Sequence, residues 1–340
     1  MTDGLDEQDK AAASAGRKRR AATIVAALIG LAVATAVIGY FKFGMVLKAM
    51  APIGVPGFLA VIAAQAILFI PLGFAWWLVA PSEPTARMPA FMWARLLREA
   101  SSDVLPFSAL GAIVVATRAT VLGGVDASVA IASITVDITI EMIGQLIYTL
   151  LGIGLLARHL GFANFSHSLA PEAAGAVALA LFMVSGVILV QRRGLDRVIA
   201  MVDRLAPVAG RQADAVVDAI KAAHAAPGRM SLGLAIHLAC WFGAAAGTWL
   251  ILDLIGHPLP FLSVVAIESL LFAVRNVAFV APSGLGVQEG AYVLLGPLFG
   301  LPAEAALALS LLKRGRDIAI GVPMLLSWQL LENRRVLRQT

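Results

Sequence analysis

Residues 125–157 read VDASVAIASITVDITIEMIGQLIYTLLGIGLLA, and this run decides what kind of molecule the chain makes. A helix of about 20 mainly apolar residues crosses the hydrocarbon core of a bilayer. This run is longer than that, and it carries Ser133, Asp137, Glu141 and Gln145 in steps of four. Each step turns a helix by about 400°, so the four side chains share one face. A central acidic residue costs on the order of 2.5–3.5 kcal/mol on insertion scales, and the pair roughly 5–7 kcal/mol if both ionise. The surrounding Ile, Leu and Val offset that cost. The helix inserts, but its charged face must look inward to a partner or to water. Two readings of Asp137 and Glu141 stay open: a salt bridge or protonated carboxyls holding a bundle together, or a polar translocation path or proton relay.

Composition extends the conclusion to the whole chain. Of 340 residues, 60% are hydrophobic and only 14% charged, against roughly 45–50% apolar and 25% charged in soluble domains. A water-soluble core cannot hide so much hydrocarbon surface, so the expected fold is all-α, one polytopic helical membrane bundle. The net charge of +5 would raise nucleic acid as a partner in a soluble protein. Here the Lys and Arg residues fall in short blocks between apolar stretches, as in cytoplasmic loops, and no nucleic-acid partner is expected. The single cysteine, Cys240, excludes an internal disulfide framework. The histidines form no HExxH and no paired spacing, so neither a metal nor another cofactor is expected.

Further spans read as Ala21–Phe41, Ile53–Ala80 with Pro56 and Pro71 as kinks, Ala173–Val190 and Ser231–Ile255. A last helix begins near Ala303 and ends in the apolar stretch Ile318–Leu331. Residues 1–20 read as a disordered basic tail, 21–332 as a single transmembrane domain and 333–340 as a cytoplasmic tail. Within the domain, residues 191–229 form an amphipathic cytoplasmic insertion, either a helix on the membrane surface or a solvated hairpin.

Two segments do not behave as simple spans. Arg95–Thr120 contains Arg98, Glu99, Asp103, Pro106 and Gly111 before a short apolar run. Phe261–Gly300 contains Glu268, Arg275 and Asn276, then Pro282-Ser283-Gly284-Leu285-Gly286. A Pro-Gly break between short apolar pieces predicts a re-entrant hairpin or broken helix, tolerated at membrane depth only inside protein or beside water. With the first hairpin entering from the cytoplasm and the second from the outer face, nearly all Lys and Arg outside the spans fall inside. The expected topology is six full spans plus two opposed hairpins, with both termini cytoplasmic.

The two irregular regions also resemble each other. Gly300 lies 177 residues after Gly123, as Ser310 lies after Ser133 and Gly321 after Gly144. Two copies entering from opposite faces form the inverted repeat of many transporters, with a site near the midplane. The offset carries Asp137 onto Arg314, in the basic run Lys313-Arg314-Gly315-Arg316, and predicts that these opposite charges meet across the repeat interface. Glu268 and Arg275 lie seven apart on one helix face beside Asn276. The turn around Gly284, Gly286 and Gly290 lacks the dinucleotide-binding spacing, but it starts a half-helix whose N–H groups favour an anion such as a lipid phosphate. Glu289 would cap that helix, carry a proton or pair with a lipid ammonium group.

The run Pro282-Ser-Gly-Leu-Gly-Val-Gln-Glu289-Gly290, with Lys313, Arg314 and Arg316 before a final span, resembles the lysylphosphatidylglycerol synthase transmembrane-region family. Arg98-Glu-Ala-Ser-Ser-Asp-Val-Leu-Pro106 and Gln288-Glu-Gly-Ala-Tyr-Val-Leu-Leu-Gly-Pro297 look closest to its hopanoid-biosynthesis-associated members. Ser283 stands where the family commonly has glycine. The resemblance implies moving or handling lipids, with Pro282, Gly284, Gly286, Glu289 and the basic cluster as functional positions. It does not imply synthase activity, because aminoacyl transfer in the fused proteins resides in a soluble C-terminal domain, and the sequence closes nine residues after Leu331.

The expected function is a lipid-handling, flippase-like protein of the bacterial inner membrane, not an enzyme, with polar or anionic lipids as partners. No GxxxxGK[ST] is present, so energy would come from ion coupling or the lipid gradient. Two alternatives remain: a non-catalytic subunit scaffolding lipid-biosynthetic enzymes through residues 191–229, and a lipid-modifying enzyme using Asp137, Glu141 or Glu289 in acid–base chemistry.

Overall fold

The computed structural model describes residues 51–80, 83–104, 108–162, 170–189, 191, 210–277 and 286–338. The expected first span, the N-terminal tail, the start of the 191–229 insertion, and Pro282 and Gly284 lie outside them. Among the described residues there is no strand. They form ten α-helices in order: α1 Gly54–Leu78, α2 Met88–Val104, α3 Ser108–Leu122, α4 Ala127–Leu160, α5 Ala170–Leu189, α6 Gly210–His224, α7 Pro227–Leu254, α8 Phe261–Val277, α9 Val287–Leu295 and α10 Ala303–Arg338. Helices α1, α4 and α7 are long and apolar enough to cross a membrane. Outward they present Val55, Leu59, Ile67, Ile70, Ile147, Leu150 and Trp249, the surface a lipid-facing bundle requires. The chain is an all-α helical membrane protein.

Three of the expected spans reappear as α1, α4 and α7, and α5 and α10 are helices where two more were expected, all with small shifts at their ends. Pro56 is a correction. It lies in the first turn of α1, behind the N-cap Ile53, where a missing N–H costs nothing, so only Pro71 interrupts that helix. Asp126 caps α4 by accepting the Ser128 backbone N–H at 2.8 Å, which satisfies one of the orphan donors of the first turn. Helix α6 lies on the protein: Ala219, Ile220 and Ala223 are buried in the same core as α4, while Asp214, Asp218 and Lys221 stay on its outer side.

Both irregular segments are helical hairpins. Helices α2 and α3 pack antiparallel, for Arg87 just before α2 donates to the Gly123 carbonyl just after α3 at 2.9 Å. Seventeen residues in α2 and nine in α9 reach about 25 Å and about 14 Å, short of the roughly 30 Å of a bilayer core.

The repeat is visible in the helices themselves. Helix α2 starts 34 residues after α1 and α8 starts 34 after α7, and both α2 and α8 have 17 residues. A long helix follows each hairpin. The halves embrace: α1 packs on α7, α2 on α10, and α8 on α4. Exchange of equivalent partners is the pattern of a two-fold axis. Helices α1 and α7 run in opposite directions, since Gly57 faces Leu254, Leu68 faces Gly243 and Cys240, and Ala75 faces Gly233. The repeat is inverted. Close approach across it depends on small residues: a Cβ on Gly152 of α4 would lie 1.8 Å from Ser269 Oγ of α8, and one on Gly321 of α10 would lie 2.6 Å from Val104 Cγ2 of α2.

Candidate functional site

Three ionic clusters sit inside this apolar bundle. The first joins α2, α4 and α7. Arg95 Nη2 donates to Glu141 Oε1 at 2.9 Å and pairs with Glu99 Oε1 at 2.8 Å, while its Nη1 lies 3.4 Å from Asp137 Oδ2. Arg98 adds a 3.2 Å bond to Asp137 Oδ2 and a short one to Glu141 Oε2. On the far side of Asp137, His237 Nε2 lies 3.0 Å from Oδ1. Arg95, Asp137 and His237 are buried. Charges desolvated to this degree persist only when paired and hydrogen-bonded. The face of α4 inferred from the spacing of four is therefore real, and Trp76 Nε1 extends it by donating to Ser133 Oγ at 3.0 Å.

The second cluster joins α7, α8, α9 and α10. Lys313 Nζ donates to Glu268 Oε2 at 2.7 Å, to Tyr292 OH at 2.6 Å and to Thr248 Oγ1 at 3.1 Å. Tyr292 OH in turn donates to Glu268 Oε1 in a very short bond. All four side chains are buried. Counted from their helix starts, the two clusters correspond. Glu268 lies 173 residues after Arg95, as α8 starts 173 after α2; Lys313 lies 176 after Asp137, as α10 starts 176 after α4. Each repeat thus ties the first arm of its hairpin to its own long helix by an ion pair, with the polarity reversed between repeats.

The third cluster joins the last turns of α2 and α8 to the start of α9 and to α10. Arg275 Nη2 of α8 lies 3.4 Å from Asp103 Oδ1 of α2, and its Nη1 donates to Gln288 Oε1 of α9 at 3.4 Å. Gln288 continues to Ser310 Oγ at 3.3 Å. On α10, Arg316 Nη2 holds Asp317 Oδ1 at 2.7 Å, and Arg314 Nη2 lies 3.6 Å from Glu289 Oε1. Asp103 and Arg275 keep 22% and 26% of their side-chain surface exposed, so this ionic seam is only partly buried.

Several expectations change. Asp137 does not meet Arg314; its partners are Arg95, Arg98 and His237, because the ion pairs join a hairpin arm to the long helix of its own repeat and do not join equivalent positions of the two repeats. Glu268 and Arg275 share a helix but serve different clusters, one midway along α8 and the other near its end. At the N-terminus of α9, Glu289 Oε2 accepts the Gly286 N–H at 2.9 Å, so of its three readings the turn shows the capping one. Gly286 takes φ +75° at that turn, a conformation glycine favours. The side chain of Asn276 lies outside the described residues. Arg118 pairs with Glu332 at 2.8 Å on an exposed face.

Sequence reasoning passed over Arg95, His237 and Tyr292 as members of these clusters, took Lys313 only as part of the basic run, and did not pair Asp103 with Arg275. His237 and Tyr292 stand singly in apolar runs, and no spacing rule distinguishes a ligand from a packed side chain there. Arg95 and Asp103 had a usable signal, as charges in a segment that must enter the membrane. Among the described residues no three His, Cys, Asp or Glu side chains gather as a metal site.

Fold and clusters together define a class: a helical membrane protein on an inverted repeat, whose two hairpins meet over buried charges. The family model of the lysylphosphatidylglycerol synthase TM region matches residues 27–323, and the chain belongs to that family. No curated protein and no solved structure matches it. Membership marks a membrane protein related to lipid handling.

Proposed function

We propose that the protein moves polar lipids between the leaflets of the bacterial inner membrane without changing them covalently. The observation that supports this best is the seam of the third cluster, where Asp103 and Arg275 are partly exposed within a bundle whose outer surface is apolar. A headgroup needs such a polar strip to cross while its tails remain in lipid, because charge in hydrocarbon is prohibitively costly. Asp137, Glu141, Arg98, Glu289, Arg314 and Arg316 line the same inner surface or brace it, and membrane lipids with polar or anionic headgroups are the partners. Both termini are cytoplasmic in this reading. The resemblance in the Arg98–Pro106 and Gln288–Pro297 stretches makes hopanoid-type lipids a substrate to try beside phospholipids.

The test is transbilayer movement in proteoliposomes of the full chain, with fluorescent phospholipids and dithionite quenching of the outer leaflet, followed by native lipid extract. Expected is quenching beyond the protein-free level, reduced in Asp103→Asn and Arg275→Gln. Vesicles in which neither lipid source moves would overturn the reading and leave a scaffold for lipid-biosynthetic enzymes as the better one.

A further inference from the structure

The three clusters differ in their charge balance. In the third, Asp103, Asp317 and Glu289 face Arg275, Arg316 and Arg314. In the second cluster Glu268 faces Lys313. In the first, among the described residues, two cations, Arg95 and Arg98, face three carboxylates, Glu99, Asp137 and Glu141. With His237 neutral, that cluster is one negative charge in excess. The excess is spread over carboxylates of which Glu99 is 28% and Glu141 19% exposed, while Asp137 is buried, and one bound proton would balance it.

The group placed to take it is His237. It is completely buried, its Nε2 is bound to Asp137, and its Nδ1 has no hydrogen-bond partner. Arg95 Nε and Gln145 Nε2, the latter one turn beyond Glu141 on the α4 face, are buried without partners too. Orphaned polar atoms clustered in this way need water to satisfy them, and a water at Nδ1 would also carry a proton to it. Around the imidazole, α4 contributes Asp137 and Glu141, α2 contributes Arg95, Arg98 and Glu99, and α7 itself contributes Cys240. Helix α1 has no titratable side chain. From α8 and α10, Glu268 and Lys313 meet α7 at Thr248, about 16 Å further along the helix. Phe272 on Trp241 and Ile320 in the cluster of Cys240 bring Arg275 of α8 and Arg316 and Asp317 of α10 to within about one turn of contacts near His237. On α6, Lys221 and His224 stand beside the N-terminal end of α7, about 15 Å from His237 along the axis.

We propose that the His237–Asp137 pair is a proton site and that lipid movement is coupled to protons through it, a deepening that rests on the lipid-moving reading. A proton from the aqueous phase bonds to Nδ1, giving an imidazolium held against the Asp137 carboxylate, and the cluster becomes neutral. Loss of that proton restores the excess negative charge, which pulls the Arg95 and Arg98 guanidinium groups harder onto α4. Because both arginines are on α2, the proton state sets how tightly the first hairpin is held to its own long helix. Histidine suits the task because its second ring nitrogen can take a proton while the first keeps its bond to Asp137.

Proteoliposomes of the full chain, loaded with the pH dye pyranine, would read proton flux and dithionite-detected lipid movement together. A gradient of about one pH unit, worth roughly 1.4 kcal/mol per proton, is expected to give about a tenfold asymmetry in lipid distribution for one coupled proton, accompanied by lipid-dependent proton flux. His237→Gln, which keeps a donor near the Nε2 position, and Asp137→Asn, which balances the cluster without a proton, should both lose the asymmetry and the flux while eluting as monodisperse folded protein. Lipid movement that ignores the gradient, with no proton flux, overturns the coupling and leaves the lipid-moving reading standing. A gradient response retained in His237→Gln overturns the assignment to His237. No lipid movement under any gradient overturns both.

Discussion

Lys313→Met would test whether the second cluster holds the inverted repeat together. Lys313 supplies three hydrogen bonds, to Glu268, Tyr292 and Thr248, and Glu268 is completely buried. Removing the ammonium group strands a carboxylate among α7, α8, α9 and α10, which costs about 3–5 kcal/mol. At roughly 2–4 °C per kcal/mol for a chain of this order of size, the melting temperature in detergent should fall by about 6–20 °C. Glu268→Gln alone should cost a similar amount, since it strands the lysine instead. In the double variant both charges are gone, and the new amide oxygen at position 268 can still accept from Tyr292. That protein should return to within about 1–2 kcal/mol of wild type, because a buried pair removed as a whole costs little. The double-mutant cycle should then give a coupling energy of about 4 kcal/mol or more, beyond the usual range for neighbours. The assay is thermal unfolding of the four proteins by tryptophan fluorescence, repeated in mixed micelles where unfolding is reversible. Single variants that melt with wild type, or a double variant equal to the sum of the singles, would show that the pair carries no such weight.

Gly152→Ala should destabilise by about 1–3 kcal/mol through overpacking, because its Cβ would lie 1.8 Å from Ser269 Oγ and 2.8 Å from Ser269 Cβ. Adding Ser269→Gly should recover most of that loss in the same melting assay, and an unrescued double variant would refute the contact. Asp126→Ala should cost about 1 kcal/mol at neutral pH through the lost N-cap. The Ser128 side-chain and backbone hydrogen bonds lower the pKa of Asp126, so its contribution is full above the carboxylate's unfolded value and disappears as pH falls through the folded one. Melting curves of both proteins should accordingly converge in acid, and a gap that persists there would argue against the cap. Arg275→Gln leaves Asp103 facing Asp317 without its cation, and the expected result is slowed lipid movement with a smaller stability change than Lys313→Met, since this pair is partly exposed.

The sequence alone determined the solvent, the helices and the plan of the repeat. Apolar runs longer than a bilayer is thick leave little choice of environment, and helical periodicity put Ser133, Asp137, Glu141 and Gln145 on one face before any partner was known. Both hairpins were legible from their Pro-Gly breaks and misplaced charges, and the repeat from a constant offset between glycines. Partners were another matter. A one-residue error in register moved the expected match of Asp137 from Lys313 to Arg314, and the repeat relates whole ion pairs, so even the correct register would not have joined Asp137 to its equivalent. Glu289 kept three readings open until the turn geometry showed its carboxylate on the Gly286 N–H. His237 carries no local signature; only the antiparallel packing of α7 against α1 and beside α4 brings it to Asp137 across 100 positions of sequence. Burial and charge type follow from composition and period, which are local, whereas the choice of counter-ion depends on how helices distant in sequence approach one another, and that is decided by packing.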